Sequence, residues 1–202
     1  AKAAMLAGKH VLIEKPLAID LDAARSIMEV RDRTGKVAGI DFIMRFNPLL
    51  EAIRSFAAAG IFGILRRATV ENYAQDELLP ADHWFWDRSR SGGILVEHAV
   101  HFIDLLHFLA PAKIVAVNGL KHDRNEGQED RIMANVVYDS GLIATHYHAF
   151  SRPGFFETTK IKLCFDLADI ELEGWIPLSG TLKCLVNPAG KSILLNSQFF
   201  EL

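Results

Sequence analysis

Three ionisable side chains share one stripe of an otherwise apolar segment. Residues 92–109 read G-G-I-L-V-E-H-A-V-H-F-I-D-L-L-H-F-L, with Glu97, His101 and Asp104 spaced by four and three residues. At about 100° per residue of an α-helix, the three fall within roughly 60° of arc. A carboxylate one turn before a histidine can hold the imidazole in one tautomer and raise its basicity, as a general base near neutral pH requires. The segment therefore predicts an acid–base site.

The other directions around this predicted helix are apolar, so the helix should be buried. Burying an ionisable group costs several kcal/mol unless it is paired or hydrogen-bonded, so the stripe must face internal partners or a solvated pocket. For Glu97 and His101 a buried hydrogen-bonded pair between domains stays open as an alternative. For Asp104 a hydrogen bond from the backbone or an arginine is favoured over contact with a substrate.

The elements that must position these residues fall into two parts, and the first is residues 1–44. It contains the end of a helix closed by Gly8, a strand at 10–14, a helix from Leu21 to Thr34 with Asp20 as its cap, and a strand at 36–44. Helix and strand in alternation are typical of a parallel sheet with right-handed crossovers. Asn47-Pro48 marks the boundary of this part.

The second part, residues 45–202, changes from alternating elements to a run of strands. A helix at 48–59, a strand at 64–73 and the apolar helix precede strand signals at 113–122, 130–138, 142–150, 157–166, 168–173, 181–186 and 192–196. Asp139-Ser140-Gly141 is typical of a hairpin turn. We predict an α+β fold whose open, mostly antiparallel sheet carries helices on one face, preceded by the residual α/β portion.

Composition excludes some classes of function. Half of the 202 residues are apolar and the net charge is −3, which gives no electrostatic footprint for nucleic acid. Cys164 and Cys184 are too few for a disulfide framework, so we expect a reducing cytoplasm. No apolar run approaches the length of a membrane span and the first residues lack the hydrophobic region of a signal peptide, so we expect no membrane partner.

Two segments in this order resemble a known family. A-G-K-H-V-L-I-E-K-P-L-A (7–18) resembles the strand and Glu-Lys-Pro signature of the glucose–fructose oxidoreductase, inositol dehydrogenase and rhizopine-catabolism family (Gfo/Idh/MocA). S-G-G-I-L-V-E-H-A-V-H-F-I-D (91–104) is similar to that family's Gly-Gly-Gly…Asp-x-Gly-x-His-x-x-Asp helix. M-R-F-N-P (44–48), A-G-I-F-G-I-L (59–65) and, more loosely, F-D-L-A-D-I-E-L-E-G (165–174) are similar to its other segments.

The resemblance implies a dinucleotide-binding Rossmann domain followed by an α+β domain. Members transfer a hydride between nicotinamide, as NAD or NADP, and a sugar, cyclitol or related alcohol. By position, Lys15 would be the active-site lysine, Glu97 the carboxylate and His101 the acid/base. Glu14 and Pro16 would join Lys15 at the nicotinamide edge, with a cis Lys15-Pro16 bond.

Elementary chemistry agrees with those roles. Oxidising an alcohol removes its hydroxyl proton as the hydride leaves, which needs a base and a cation beside the developing alkoxide. Lys15 would lie at the carboxyl end of a parallel strand, where open α/β sheets bind ligands. Further candidates for contact with substrate are Arg45, Asn47, Trp86 and Asp104, although an aromatic loop such as that of Trp86 more often packs over a core.

The sequence also departs from the family pattern. Glu97 stands where Asp is usual, Ala99 stands where Gly is common, and no G-x-G-x-x-G occurs. We therefore expect a fragment: residues 1–44 would be the C-terminal remnant of a dinucleotide-binding domain. Residues 45–202 would be a substrate and oligomerisation domain, truncated at its C-terminus. Alone, the chain is expected to be inactive.

Competing functions remain open. One is a binding or regulatory relative that has kept the fold and lost turnover. Another is metal-dependent hydrolysis through Glu97, His98 and His101, although their spacing is only marginally convergent and we otherwise expect no metal site. His146 and His148 could face substrate, but an interface or plain packing is favoured. Because the strands carry apolar residues on both faces, we expect a homodimer or tetramer through the open sheet face.

Overall fold

The computed structural model describes residues 1–125, 127–186 and 193–199, which form two sheets with flanking helices. The elements are α1 (Lys2–Leu6), β1 (Val11–Glu14), α2 (Leu21–Thr34), β2 (Ala38–Asp41), α3 (Pro48–Ala58), β3 (Leu65–Gln75), α4 (Arg88–Ser91), α5 (Val100–Leu109), β4 (Ile114–Asn125), β5 (Gln128–Tyr138), β6 (Ile143–Arg152), β7 (Thr158–Phe165), β8 (Ala168–Glu173), β9 (Ser179–Val186) and β10 (Ile193–Phe199). A π-helical turn at Leu95–Ala99 precedes α5, and 3₁₀ turns lie at Ile43–Phe46, Trp84–Trp86 and Gly154–Phe156.

The first part of the chain has the predicted alternation of helix and strand. β1 and β2 pair in parallel. The Asp20 carboxylate accepts a hydrogen bond of 2.7 Å from the Ala23 N–H and so caps α2, as predicted. Gly35 ends α2 in the left-handed region, with φ of 62°.

The second strand is shorter than predicted. It ends at Asp41, and the 3₁₀ turn that follows is closed by a 3.0 Å hydrogen bond from the Arg45 N–H to the Phe42 carbonyl. Met44 in this turn is buried in the core of the following part of the chain. The expected strand at 36–44 is therefore wrong beyond Asp41, because burial of Met44 bends the backbone where the chain crosses between the two parts.

The large sheet has the order β10-β9-β8-β7-β3-β6-β5-β4. Its neighbouring strands run antiparallel except for β3 and β6, which are parallel. Along β8 every second residue is buried, which divides the sheet into an inner and an outer face. The prediction of an open, mostly antiparallel sheet is confirmed.

Helices α3 and α5 cover the inner face. They share one core with the inner residues of the strands, and its members include Leu49, Leu50 and Ile53 of α3, Phe102, Leu105 and Leu106 of α5, and Val70, Ala144, Ile161 and Ile170 of the sheet. On the outer face and the β4 edge, apolar side chains such as Leu120 and Ile143 are exposed. Among the described residues, the helices thus lie on one face.

The apolar helix is not one continuous α-helix. α4 ends at Gly92, whose φ is 80°, Gly93 has φ of 88°, and the π-helical turn follows before α5 begins. A Cβ on Gly92 would lie 2.8 Å from Cγ1 of Val96, so glycine is required at this bend. The prediction that Glu97, His101 and Asp104 share a narrow arc assumed 100° per residue throughout. That spacing does not hold across Leu95–Ala99, because a π-helix has more residues per turn than an α-helix.

The expectation that no apolar run approaches a membrane span is also wrong. The 22-residue stretch Arg88–Leu109 is long and apolar enough to cross a membrane, judged by length and composition alone. In the fold, Phe102, Leu105 and Leu106 within this stretch are fully buried. The stretch thus supplies core packing for the large sheet.

Candidate active site

Lys15 and Glu97 form a direct ion pair between the two parts of the chain. Lys15 follows β1, and its Nζ donates 2.6 Å hydrogen bonds to both Oε1 and the main-chain oxygen of Glu97. Each side chain is only 17% exposed. Glu97 lies on the π-helical turn, which presents its carboxylate and its carbonyl to the same ammonium. The convergence of these two predicted residues is therefore present in the structure.

Glu129, which sequence reasoning missed, fixes the start of the segment that carries Glu97. Its Oε1 accepts a 2.9 Å hydrogen bond from the Ile94 N–H. A Cβ on Gly93 would lie 3.2 Å from the same oxygen, so a glycine there leaves room for the carboxylate. An acidic side chain is stabilising at a helix N-terminus because unpaired N–H groups point toward it. No local sequence signal marks Glu129, because it lies at the beginning of β5, 35 residues along the chain from Ile94.

His101 is the second residue of α5 and is only 4% exposed. Its Nδ1 is buried and has no hydrogen-bond partner among the described residues. Two aromatic rings stand perpendicular to the imidazole: Trp175 at 4.9 Å and 90°, and Phe42 at 6.3 Å and 84°. Trp175 was not among the predicted site residues, and its only sequence signal is an aromatic residue in a Gly-Trp-Ile-Pro loop.

The electrostatic environment of His101 differs from the expectation. Burial, and next the positive charge of Lys15, lower the pKa of His101 from 6.5 to about 4, while Asp104 and Asp41 oppose this shift. The expectation that Glu97 orients His101 and raises its basicity is wrong, because the Glu97 carboxylate is bonded to Lys15 instead. The imidazole is consequently neutral at pH 7.

Three further histidines lie beneath this site on the inner face. The His98 ring stacks on Trp175 at 4.8 Å and meets His148 edge-on at 5.7 Å. His146 and His148 are completely buried, and their ring nitrogens have no partners among the described residues. Burial lowers the pKa of His98 to about 3 and that of His146 to about 4. The sequence favoured either an interface or plain packing for His146 and His148, and the structure places both in the packed interior.

Two of the predicted substrate residues bind each other. Arg45 donates from Nε and a terminal nitrogen to the two carboxylate oxygens of Asp104, at 2.8 and 2.6 Å. Asp104 therefore receives an arginine, as the sequence favoured. The pair ties the 3₁₀ turn at the domain crossing to α5.

The other two predicted substrate residues are engaged by the fold itself. Asn47 caps α3, accepting from the Leu49 N–H at 2.9 Å and the Leu50 N–H at 3.2 Å, and it donates to the Pro177 carbonyl at 2.9 Å. Trp86 is buried in a separate apolar cluster and donates to the Pro80 carbonyl at 3.1 Å. In the structure these polar groups satisfy backbone groups that would otherwise be buried unpaired, and their contact with substrate stays a prediction.

The alternative of metal-dependent hydrolysis has no geometric support. Within residues 1–125, 127–186 and 193–199, no group of three His, Cys, Asp or Glu side chains could hold a metal ion. Glu97 is engaged by Lys15 and the His98 ring by Trp175. The three residues of that hypothesis therefore do not converge.

Comparison with known families accounts for both parts of this arrangement. Residues 50–163 match the family model of the GFO/IDH/MocA C-terminal domain, and residues 1–42 match that of the oxidoreductase family with an NAD-binding Rossmann fold. The chain belongs to the GFO/IDH/MocA family of oxidoreductases. The resemblance seen in the Glu-Lys-Pro and Gly-Gly segments is thus confirmed.

Two curated GFO/IDH/MocA relatives are similar to the chain. It is 35% identical over 162 residues to 1,5-anhydro-D-fructose reductase of Ensifer adhaerens, covering 77% of this chain and 47% of the relative. It is 26% identical over 140 residues to scyllo-inositol 2-dehydrogenase (NAD(+)) of Bacillus subtilis (strain 168), covering 66% of this chain and 40% of the relative. The chain thus spans less than half the length of either relative.

A solved structure has the same fold. The inositol dehydrogenase homolog of Azotobacter vinelandii, complexed with NADH and myo-inositol, superimposes with a TM-score of 0.80 at 21% identity. The match covers 96% of this chain and 51% of that chain. The shared architecture extends across both parts of the chain.

The end of β1 fits the nicotinamide edge that the family implies. β1 and β2 are parallel and end side by side, with Glu14 opposite Asp41. Lys15 and Pro16 follow directly, and the peptide bond between them is cis, as the resemblance implied. Ligands of open α/β sheets bind outside the carboxyl ends of the strands, so these residues would border the nicotinamide. The phosphate-binding fingerprint is not among the 202 residues.

Proposed function

We propose that the complete gene product is an NAD(P)-dependent oxidoreductase that transfers a hydride between nicotinamide and a sugar, cyclitol or related alcohol. The observation that carries this proposal is the Lys15–Glu97 pair beside a buried, neutral His101. Membership in an oxidoreductase family supports the reaction class. The names of the relatives, a reductase of 1,5-anhydro-D-fructose and a dehydrogenase of scyllo-inositol, support a cyclic polyol-type substrate.

In this proposal His101 accepts the proton and Lys15 stabilises the negative charge on the substrate oxygen. The neutral imidazole of His101 accepts the substrate's hydroxyl proton, since its lowered pKa leaves it unprotonated at pH 7. A lysine ammonium has three N–H donors, and Glu97 accepts two of them, which leaves the third to donate to the substrate oxygen. That ammonium stabilises the alkoxide as negative charge develops. Bound nicotinamide supplies the hydride acceptor.

Glu97 keeps the lysine in place. Its carboxylate and carbonyl hold Nζ from two directions, which limits the lysine to few rotamers. Such preorganisation reduces the reorganisation needed as the reaction proceeds. Glu97 therefore acts through Lys15, in contrast to a carboxylate that orients the histidine.

Cofactor contact is assigned to Glu14, Lys15 and Pro16. In this proposal residues 1–44 are the C-terminal portion of a dinucleotide-binding domain, and residues 45–202 form the substrate and oligomerisation domain. The family model that matches residues 1–42 supports the first assignment. NAD and NADP remain alternatives, because the ribose-reading acidic residue follows the glycine fingerprint.

We also propose a homodimer, or a tetramer of dimers, through the outer sheet face. Exposed apolar side chains on that face, including Leu120 and Ile143, support the proposal. Sedimentation of the complete gene product at micromolar concentration tests it, and a clean monomer contradicts it.

Cys164 and Cys184 are both free thiols, which supports a reducing cytoplasm as the compartment.

The activity test is direct. The complete gene product is incubated with NAD or NADP and a panel of cyclic polyols and anhydro sugars, and nicotinamide reduction is followed by absorbance. We expect turnover with at least one of them. Tight cofactor binding without turnover on any substrate would favour the non-catalytic relative, and the absence of cofactor binding would overturn the oxidoreductase proposal.

A further inference from the structure

Within the part of the chain that the structure describes, no hydrogen bond fixes the ring of His101. The Nδ1 atom has no partner among the described residues, and the nearby carboxylates of Glu97 and Asp104 are bonded to Lys15 and Arg45. A general base must nevertheless present one nitrogen in one direction, because small misplacements of a catalytic group reduce the rate greatly. Another contact must therefore orient the imidazole.

Trp175 supplies such a contact. Its indole meets the His101 ring edge to face, with centroids 4.9 Å apart and planes at 90°. Its other contacts immobilise the indole, since it stacks on His98 at 4.8 Å and 22° and packs against Phe102 at 5.3 Å and 71°. Perpendicular ring pairs at these separations are favourable because the positive edge of one ring faces the negative face of the other.

The loop that carries Trp175 is anchored at both ends. The Gly174 N–H donates to the Thr159 carbonyl at 2.9 Å, and the Pro177 carbonyl accepts from the Asn47 side chain at 2.9 Å. Asn47 is also the cap of α3, which is part of the core. The position of the indole is thus set by the large sheet and by α3.

We propose that Trp175 is a positioning residue for the general base: its indole holds the His101 imidazole in the orientation that a hydrogen-bonded carboxylate would otherwise impose, and it keeps water away from the ring. This inference rests on the proposed role of His101 in proton transfer. The charged and titratable groups that face His101 are Lys15 after β1, Asp41 at the end of β2, Asp104 on its own helix and His98 behind the indole.

The first test needs no activity. In the complete gene product with labelled histidine, NMR titration follows the pKa of His101, assigned with His101→Asn. Because Trp175 contributes to the burial that lowers this pKa to about 4, Trp175→Leu is expected to move it toward 6.5, and Trp175→Phe to move it less. Trp84→Leu, which removes a partly exposed indole from another loop, is the matched control.

The second test is kinetic. We expect Trp175→Leu to lower kcat/KM by about tenfold or more and to shift the acid limb of its pH profile upward, with cofactor affinity unchanged. Trp175→Phe should recover most of the rate. A loss equalled by Trp84→Leu, or one without a shift of the pH profile, would assign Trp175 a structural role only.

The two proposals fail separately. If the wild-type protein shows no turnover, the proposed function fails while the NMR titration still decides the contact between Trp175 and His101. If the titration of His101 is the same in the wild type and both Trp175 variants, this inference is overturned whatever the activity. Should Trp175→Leu not fold, Trp175→Phe is still expected to raise the pKa measurably above that of the wild type and Trp84→Leu.

Discussion

The Nζ atom of Lys15 lies 2.6 Å from Oε1 of Glu97, across 82 positions of sequence. The pair joins the carboxyl end of β1 to the π-helical turn before α5, so it connects the Rossmann-type part to the large α+β part. Removing one partner of a largely buried ion pair leaves the other charge uncompensated. Both chemistry and local stability are therefore expected to respond to changes here.

We expect Lys15→Ala and Glu97→Gln each to reduce turnover by on the order of 10²-fold in the complete gene product. The physical reason is that the first removes the cation beside the alkoxide, and the second loosens it. Because Lys15 is also assigned to the nicotinamide edge, Lys15→Ala should lower cofactor affinity as well, but far less than turnover; Glu97→Gln should leave that affinity nearly unchanged. Steady-state kinetics beside a cofactor titration measure both quantities, and an equal loss of dinucleotide binding would make the pair structural.

The pH dependence of catalysis should reflect the neutral state of His101. Burial and Lys15 lower its pKa to about 4, so the base is competent above that pH and becomes protonated below it. We expect the His101-dependent acid limb of kcat/KM to lie near pH 4, well below the ordinary histidine value of 6.5. A pH–rate profile measures this, and His101→Ala should lower the rate by on the order of 10²-fold. A limb near the ordinary value would refute the desolvated environment.

Stability should fall in mild acid because of the buried histidines. Burial lowers the pKa of His146 from 6.5 to about 4, so the unfolded chain binds the proton first as the pH falls. The contribution of neutral His146 to the free energy of unfolding is fully present above about pH 6.5 and is lost as the pH falls toward 4. The total loss for this one group is on the order of 3 kcal/mol. Urea unfolding at a series of pH values measures the slope.

Two histidine variants test whether the buried His146 is responsible for this pH dependence. His146→Gln removes the titrating ring and should flatten the pH dependence of the unfolding free energy. His107→Gln, which replaces an exposed histidine of α5, is the matched control. Equal slopes in the wild type and His146→Gln would show that this group does not control acid stability.

Asn47 should contribute to stability through both ends of its side chain. Asn47→Ala removes the cap of α3 and the hydrogen bond to Pro177, and we expect the free energy of unfolding to fall by about 2 kcal/mol. Asn47→Asp keeps an acceptor for the cap but loses the donor, so about half of that effect is expected. Thermal denaturation compares the stability of the two variants. Equal losses would mean that only the hydrogen bond to Pro177 stabilises the fold, because Asn47→Asp keeps the cap.

The Arg45–Asp104 pair should matter more than an exposed pair. Asp104→Asn weakens a bidentate contact to a largely buried carboxylate, and because the guanidinium is partly exposed we expect a loss of about 1 kcal/mol. Glu171→Gln weakens the Lys162 pair, in which both side chains are half exposed, and should cost less than Asp104→Asn. Chemical denaturation of both variants decides the ranking.

Local elements were largely predictable because their signals lie in neighbouring residues. α2 begins at Leu21 and ends at Thr34 as predicted, since Asp20 and Gly35 supply the cap and the left-handed stop. β8 also has the predicted bounds, because alternation of apolar residues is a local pattern. Where a distant contact intervened, as when Met44 entered the core, the predicted strand was too long.

The residue types of the site were likewise determined by the sequence, while their partners were not. Glu-Lys-Pro and the stripe on the apolar helix predicted Lys15, Glu97 and His101 as site residues. Only the tertiary structure decided that Glu97 pairs with Lys15, that burial keeps His101 neutral, and that Trp175 stands against its ring. The physical reason is that capping and periodicity act between neighbours along the chain, whereas ion pairing, desolvation and ring packing depend on distances between residues that only the folded chain brings together.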